Sequence, residues 1–413
     1  MIRILDASQT GALLKRRSTQ LDAAEKEVRP ILDAVRKRGD KALLEYARRF
    51  DGLDAKSVAV DEDRLEAAYR RVPPKFRAAL GAASRNIRAY AKLQLPSARN
   101  MSAAPGLRLG QIVRPLDCVA AYIPGGRYPL PSTLLMSAIP AQIAGVPRIL
   151  AACPRPDDAV LGTARFLKLS HVFQMGGAHA IAAFAYGTKT VPRADRIVGP
   201  GNRYVAAAKK LLAGEVGIDF VAGPTEILLI ANSGDPRWIA ADMLAQAEHD
   251  TVASAILLTT SRRLAVAVAG AIEKQLKTLP TAATARKAID ANSAIILVRS
   301  TEEAIEISNR FAPEHLSIPD AKSLPGVRHA GSVFLGPYSP EAAGDYASGP
   351  NHVLPTSGAA RIRGGLSAAD FVKVISVQKL SRSALERLAP AITTLARAEG
   401  LEAHARSVEV RLP

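Results

Sequence analysis

Apolar positions follow two different rhythms along the chain. In residues 21–38 and 63–92, apolar residues recur three and four positions apart with charged residues between them, which predicts helices. From about residue 115, short apolar runs alternate with stretches of helical spacing near 133–144, 158–168, 178–185 and 202–213. The short runs, which predict strands, lie at 118–123, 149–153, 172–175 and 196–198. This alternation is typical of βαβ units, in which helices cover a parallel sheet.

The same pattern restarts after Gly223-Pro224. Strand candidates lie at 226–231, 255–259, 294–298 and 332–335, and residues 237–249 predict a helix. The stretch from about Gly358 is basic and predicts helices over 368–374 and 381–399. The fold class is therefore α/β, with two similar parallel-sheet domains. The expected regions are a helical N-terminal region over 1–108, a first α/β domain over 109–222, a second over 223–357, and a C-terminal helical segment over 358–413.

Composition narrows the class of protein. The chain has 413 residues, of which 48% are hydrophobic and 23% charged, so it is neither disordered nor fibrous and can form several domains. Its formal net charge of +17 favours acidic partners or anionic cofactors. The basic residues are spread along the chain, which is typical of a solvated surface; a phosphate-bearing cofactor and nucleic acid are the alternatives. Aromatic residues make up only 5%, which argues against a protein that stacks on bases.

Several features indicate a cytoplasmic protein without a membrane span. Cys118 and Cys153 lie in apolar runs without disulfide spacing, which favours a reducing compartment. The N-terminal residues lack the apolar run of a signal peptide. Residues 128–147 are uncharged, but their prolines predict a buried loop and helix rather than a membrane-spanning helix.

Gly199-Pro200-Gly201-Asn202 follows a predicted strand and precedes a predicted helix. Glycine turns at helix N-termini can bind phosphate groups. Position 204 is tyrosine, however, where the dinucleotide-binding fingerprint has its third glycine. The segment is therefore either a phosphate-binding loop or an ordinary tight turn.

Several of the seven histidines lie beside residues of ligand or acid–base type. Gln246 and His249 are three positions apart on a predicted helix, so their side chains share one face. Asp345 lies in a loop-like segment, and Glu399 and His404 lie near the C-terminus. Such nitrogen and oxygen ligands suit zinc or another divalent ion, although each residue alone also fits an ordinary polar position.

Glu314 and His315 are adjacent, between a predicted helix and a strand. An imidazole titrates near neutral pH and suits proton abstraction, and the neighbouring carboxylate is suited to activating water. The alternative is structural, because a cationic histidine near the C-terminus of a helix stabilises the helix dipole.

Nine short segments, taken together and in order, resemble the histidinol dehydrogenase family. They span essentially the whole chain, so the resemblance is far more specific than any single motif. The segments are 121–126 (AYIPGG), 176–183 (GGAHAIAA), 199–202 (GPGN), 222–226 (AGPTE), 246–249 (QAEH), 312–316 (APEHL), 344–349 (GDYASG), 351–356 (NHVLPT) and 398–404 (AEGLEAH).

The resemblance implies the cofactors, the substrate and the site residues. The family is zinc-dependent and NAD-linked, which implies one Zn²⁺ per subunit, NAD, and L-histidinol as substrate. The implied zinc ligands are Gln246, His249, Asp345 and His404, and the implied catalytic residues are Glu314 and His315. The implied substrate contacts are the four zinc ligands with Thr225, His315, Glu399, Ser132 and His352. The implied NAD contacts are Tyr122, His179 and Asn202.

The resemblance also implies an architecture and a reaction. The family has two incomplete Rossmann-like domains with helical extensions, in a domain-exchanged homodimer whose C-terminal segment reaches the partner's active site. The implied reaction is a four-electron oxidation of L-histidinol through bound L-histidinal to L-histidine, with neither nucleic acid nor membrane as a partner. Two positions depart from the family's usual residues. His179 replaces glutamine but keeps a hydrogen-bond donor, and Thr225 replaces serine but keeps the hydroxyl.

Two other interpretations stay open at this point. A paralogue would use the same site to oxidise another small amino alcohol or a hydroxysulfonate with NAD. A basic polyanion-binding protein on an α/β scaffold would account for the net charge, although the scattered basic residues and few aromatic residues count against it. NADH release with L-histidinol, compared with other amino alcohols and with salt-dependent DNA binding, distinguishes the three.

Overall fold

The chain divides into two units in the computed structural model, which describes residues 1–9, 11, 21–125, 128–221 and 223–412. The first unit contains Met1–Gln94 and Asp117–Phe371, and the second contains Leu95–Leu116 and Val372–Pro413. Gly126 and Ala222, which belong to two of the sequence motifs, lie outside the described residues. No helix within the described ranges is both long and apolar enough to cross a membrane.

Helices and strands alternate through most of the described chain. The strands are β1 (Arg3–Asp6), β2 (Arg99–Ala104), β3 (Leu107–Pro115), β4 (Cys118–Tyr122), β5 (Arg148–Ala152), β6 (His171–Phe173), β7 (Arg196–Val198), β8 (Gly217–Ile218), β9 (Glu226–Ile230), β10 (Ser254–Thr259), β11 (Ala294–Leu297), β12 (His315–Ile318), β13 (Ser332–Leu335) and β14 (Val372–Leu380). The α-helices are Asp22–Arg38, Asp40–Asp51, Glu62–Arg71, Pro74–Leu93, Pro131–Ala144, Asp158–Phe166, Gly177–Tyr186, Arg203–Leu212, Pro236–Ala247, Arg262–Leu276, Ala282–Asn292, Thr301–Phe311, Glu341–Tyr346, Arg382–Ala398 and Glu402–Glu409. Short 3-10 helices occupy Ala7–Gln9, Ala321–Gly326, Ala359–Arg361 and Ala368–Phe371.

The first parallel sheet of the first unit has the strand order β6-β5-β4-β7-β8. Its central strand, β4, is buried along its whole length, as expected for a strand covered on both faces. The chain passes from β4 to β5 and β6 on one side and then returns to β7 on the other side. The crevice between the carboxyl ends of β4 and β7 is therefore a topological switch point, where open α/β sheets usually bind ligands.

The second parallel sheet has the order β1-β11-β10-β9-β12-β13 and also contains a point where the strand order reverses. Its strand order reverses at β9, which lies between β10 and β12. Apolar side chains of β9, β10 and β11 form cores with the helices on each face of the sheet. The expectation of an α/β fold with two parallel sheets is confirmed.

The N-terminal region contains four helices between residues 22 and 93, but Arg3–Asp6, Arg99–Ala104 and the start of Leu107–Pro115 are strands within the region expected to be helical over 1–108. β1 pairs in parallel with β11 at the edge of the second sheet, a partner almost 300 positions away. The helix predicted over 63–92 is two helices, because Pro73 and Pro74 follow Val72. Val72 is extended, as residues before proline usually are, and Pro74 begins the second helix.

The second unit is a three-stranded antiparallel sheet of order β14-β3-β2 with two following helices. The helix expected over 368–374 is wrong after Phe371, where β14 begins. β14 contains four β-branched residues, Val372, Val374, Ile375 and Val377, which favour an extended backbone paired with β3. The helix expected over 381–399 is confirmed as Arg382–Ala398.

Candidate active site

A cavity of about 560 Å³ lies in the first unit and is lined by residues from both parallel sheets. Residues 200–202 follow β7 in the first sheet, and Thr225 precedes β9 in the second. Most of the site residues predicted from the sequence line this cavity: Ser132, Asn202, Thr225, His249, Glu314, His315, Asp345 and His352. The fold therefore brings together segments that are more than 200 positions apart.

Two neighbouring strands place Glu314 and His315 beside Thr225. β9 and β12 are parallel, with His315 opposite Ile227, so the residues at their amino ends are adjacent. The helix Thr301–Phe311 ends at Ala312, which adopts a left-handed conformation with φ of 51°. This turn directs the chain into β12. The site thus uses the amino ends of β9 and β12, whereas the first sheet contributes carboxyl ends.

His315 is buried, with 3% of its surface exposed. Its Nδ1 lies 3.3 Å from the carbonyl oxygen of Glu226, 3.4 Å from Oε1 of Glu341 and 3.7 Å from Oε2 of Glu314. Because a carbonyl can only accept, Nδ1 carries a proton, and Nε2, which is 3.5 Å from Oδ1 of Asp345, is the nitrogen available for proton transfer. Burial disfavours the imidazolium ion, but the carboxylates of Glu341, Glu314 and Asp345 prevail and raise the pKa of His315 to about 10.

Glu314 is held rigidly at the amino end of β12. Its Oε2 accepts hydrogen bonds from Oγ1 of Thr225 at 2.5 Å and from the backbone N–H of Glu226 at 2.9 Å. Burial raises the pKa of the Glu314 carboxyl. A carboxylate with a raised pKa is a stronger base, so this position suits a group that removes a proton from water.

Glu341 is a site residue that the sequence analysis missed. It is buried, and burial raises the pKa of its carboxyl well above the ordinary value. Glu341 begins the helix Glu341–Tyr346, and Asp345 lies four positions later on the same face. This acidic pair at helical spacing is the sequence signal that would have identified it.

Asp345 belongs to a cluster that can bind a cation. Burial opposes its ionisation, but the interaction with His315 prevails and lowers the pKa of Asp345. His315, Glu341 and Asp345 each offer a ligand atom, and these atoms lie within 4.8 Å of one another. The same carboxylate also belongs to the ligand set implied by the resemblance.

Gln246 and His249, two of the predicted ligands, have different surroundings. His249 is exposed, lines the cavity and donates from Nδ1 to the carbonyl of Ala245 at 2.9 Å, which leaves Nε2 with a free lone pair. Gln246 is buried. One orientation of its side-chain amide gives the surrounding polar groups hydrogen-bond partners. In it, Nε2 donates to Oε2 of Glu341 at 3.0 Å and Oε1 accepts from the N–H of Glu226 at 3.0 Å. Gln246 therefore lies in the hydrogen-bond network around Glu341.

The remaining predicted substrate contacts divide between the two units. Ser132 is buried at the start of the helix Pro131–Ala144 and lines the cavity. His352 also lines it and donates from Nδ1 to the carbonyl of Asp345 at 2.7 Å, while burial lowers its pKa and keeps it neutral. Glu399 and His404 belong to the second unit, where both are exposed.

The three predicted NAD contacts differ in whether they reach the cavity. Asn202 lines the cavity and caps the helix Arg203–Leu212, accepting from the N–H groups of residues 204 and 205 at 3.0 and 3.2 Å. Tyr122 and His179 are instead buried near the start of the helix Gly177–Tyr186. The hydroxyl of Tyr122 accepts from the N–H of Gly177 at 3.1 Å, and Nε2 of His179 lies 2.7 Å from Oδ2 of Asp51.

Comparisons with known proteins agree along the whole chain. A family model described as histidinol dehydrogenase matches residues 14–412. Curated histidinol dehydrogenases from Syntrophotalea carbinolica and Geobacter sulfurreducens are 48% and 47% identical, over 97% and 100% of this chain and 96% and 100% of those proteins. A crystal structure of histidinol dehydrogenase from Elizabethkingia anophelis has a TM-score of 0.95 at 36% identity, covering 100% of this chain and 98% of that chain.

Proposed function

The chain belongs to the histidinol dehydrogenase family and is a dehydrogenase, and from this premise we propose that it oxidises L-histidinol through bound L-histidinal to L-histidine. NAD, when bound, would supply the acceptor for each of the two hydrides. The observation that carries the proposal is the buried Glu314–His315 pair at a cavity that also contains the helix-capping Asn202. The names of the relatives do not favour the alternative of another small alcohol.

His315 is the proposed base for alcohol oxidation. Its Nε2 takes the hydroxyl proton, and bound NAD would supply the acceptor for the hydrogen that leaves the carbinol carbon as hydride. The carbonyl of Glu226 and the carboxyl of Glu341 hold the opposite nitrogen and so keep Nε2 directed towards Asp345 and the cavity. A cation near Asp345 would offset the carboxylate charge that keeps the imidazole protonated, and would lower the pKa of His315 towards neutral.

Glu314 is the proposed base for the second step. The aldehyde must add water before a second hydride can leave, and the carboxylate of Glu314 takes the proton from that water. Its hydrogen bonds with Thr225 and the backbone of Glu226 fix the direction from which water is activated. Retention of the aldehyde in the cavity between the two steps would limit its side reactions.

The donors present fit a zinc ion. The ionised Asp345 and the free Nε2 of His249 both face the cavity and are typical zinc ligands. Gln246 and, from a second subunit, His404 would complete the proposed set. Bound zinc would orient the imidazole and amino groups of the substrate as a Lewis-acid template.

We further propose a homodimer with shared sites and an NAD site beside Asn202. Glu399 and His404 are exposed and belong to the second unit, which is consistent with a segment that completes a partner's site.

The cavity wall formed by residues 200–202 lies beyond β7, at the switch point of the first sheet, where nucleotide cofactors usually bind. Tyr122 and His179 do not line this cavity, so they would contact NAD only if their buried side chains became accessible.

NADH formation tests this function. The zinc-loaded protein should form two NADH per L-histidinol, and other amino alcohols should give little. Chelation should abolish activity, and added Zn²⁺ should restore it. Equal turnover with several amino alcohols would reject histidinol as the specific substrate, and full activity after verified metal removal would reject the zinc site. Metal analysis of His249→Asn and Glu341→Gln distinguishes the two donor sets that share Asp345, because loss of a ligand should lower the bound zinc more than loss of a residue that only positions a ligand.

A further inference from the structure

A buried ion pair lies beside the cavity but belongs to none of the groups described above. Lys209, on the helix Arg203–Leu212, donates to Oδ1 of Asp219, which follows β8. Their side chains are 2% and 0% exposed. Lysine is almost never fully buried unless it is paired, so this arrangement requires a physical reason.

The pair holds both backbone groups of Gly199. Nζ of Lys209 donates to the carbonyl of Gly199 at 3.0 Å, and Oδ2 of Asp219 accepts from the N–H of Gly199 at 2.8 Å. Oδ1 of Asp219 also accepts from the N–H of Phe220 at 2.6 Å. Gly199 has φ of 113°, and a Cβ there would lie 2.2 Å from the carbonyl oxygen of Tyr122, so only glycine fits against the end of β4.

The clamped residue leads directly into the cavity wall. Gly199 precedes Pro200, Gly201 and Asn202, which line the cavity, and Phe220, next to Asp219, lines it as well. Arg363 contacts the same two residues: it donates to the carbonyl of Asp219, and its guanidinium lies 5.2 Å from the centre of the Phe220 ring. The ion pair therefore holds the 199–202 loop and the start of the helix Arg203–Leu212 in place.

A buried ion pair is a poor source of stability, because the cost of removing two charges from water offsets their attraction. Here the pair instead selects one backbone conformation. We propose that Lys209 and Asp219 are positioning residues for the cofactor: they fix the 199–202 loop and thereby set the affinity for NAD. This inference rests on the proposed NAD site beside Asn202.

Steady-state kinetics of paired variants test the proposal. The double variant Lys209→Met/Asp219→Asn removes both charges together, and Lys209→Arg keeps the charge but changes its shape. We expect each to raise the KM for NAD about tenfold or more, since small misplacements in a binding site cost up to about a hundredfold, while the KM for L-histidinol stays within about twofold. Lys210→Met is the matched control, because Lys210 is the next residue and forms a half-exposed ion pair with Glu25.

The outcomes separate this inference from the function on which it rests. An unchanged KM for NAD in a folded variant, an equal rise in both KM values, or failure of both variants to fold would overturn the positioning role. Asn202→Ala reports on the site itself. If it raises the KM for NAD while the ion-pair variants do not, only the positioning role is wrong; if neither change affects NAD, the cofactor site is misplaced.

Discussion

Replacing Glu314 with glutamine removes one negative charge from the cavity and keeps the size of the side chain. The amide oxygen can accept the same two hydrogen bonds, from Thr225 at 2.5 Å and from the N–H of Glu226 at 2.9 Å, so the fold should persist. The amide cannot take a proton from water. Loss of a general base typically costs about 10²–10⁴-fold in rate, or roughly 3–5 kcal/mol of activation free energy, and we expect this loss in aldehyde oxidation.

The alcohol step should suffer less. Nδ1 of His315 lies 3.7 Å from Glu314 but closer to two other acceptors, the carbonyl of Glu226 at 3.3 Å and Glu341 at 3.4 Å. The orientation of the imidazole therefore survives, and we expect less than about a tenfold loss, the size expected from one weakened charged interaction.

Single-turnover NADH formation, started separately with L-histidinol and with L-histidinal, measures the two steps. Glu303→Gln is a suitable control, because Glu303 lies on the preceding helix and forms an ion pair with Arg299 at 2.9 Å. Equal losses in both steps, with melting temperature and zinc content unchanged, would refute the division of roles between Glu314 and His315.

Three further changes test other parts of the site. His315→Asn should lower alcohol oxidation by about 10²–10⁴-fold while zinc content and fold persist, and near-normal turnover at neutral pH would remove His315 from the mechanism. Glu341→Gln should lower kcat by about ten- to hundredfold through the orientation of His315; a change in KM alone would contradict this. His249→Asn and His404→Asn chains, each inactive alone, should regain roughly a quarter of full activity when randomly co-assembled, since half of the dimers are mixed and each has one intact site. No recovery in verified heterodimers would mean that each site is built within one chain.

Local patterns in the sequence were enough to predict the parallel sheets. The apolar runs at β4, β5, β9 and β10 are short and bounded by helical stretches, and both signals are contained within about thirty residues. Spacing alone singled out only a few site residues, such as Gln246 and His249, and the full predicted set came from nine ordered motifs. That route missed Glu341, although it lies four positions before Asp345, because no predicted helix covered this segment.

Pairing partners and buried charges were decided by the tertiary structure. β1 and β14 pair with distant neighbours, β11 and β3, and no local pattern specifies such partners. Lys209 reads as an ordinary surface cation, yet the fold buries it against Asp219. The sequence by itself therefore determined most of the element types, the family and eight of the residues that line the cavity. Contacts between distant segments decided which charges lie together in the low-dielectric interior. Those contacts therefore also decided which pKa values shift and which loop is held in place, because burial and charge pairing are properties of the packed chain.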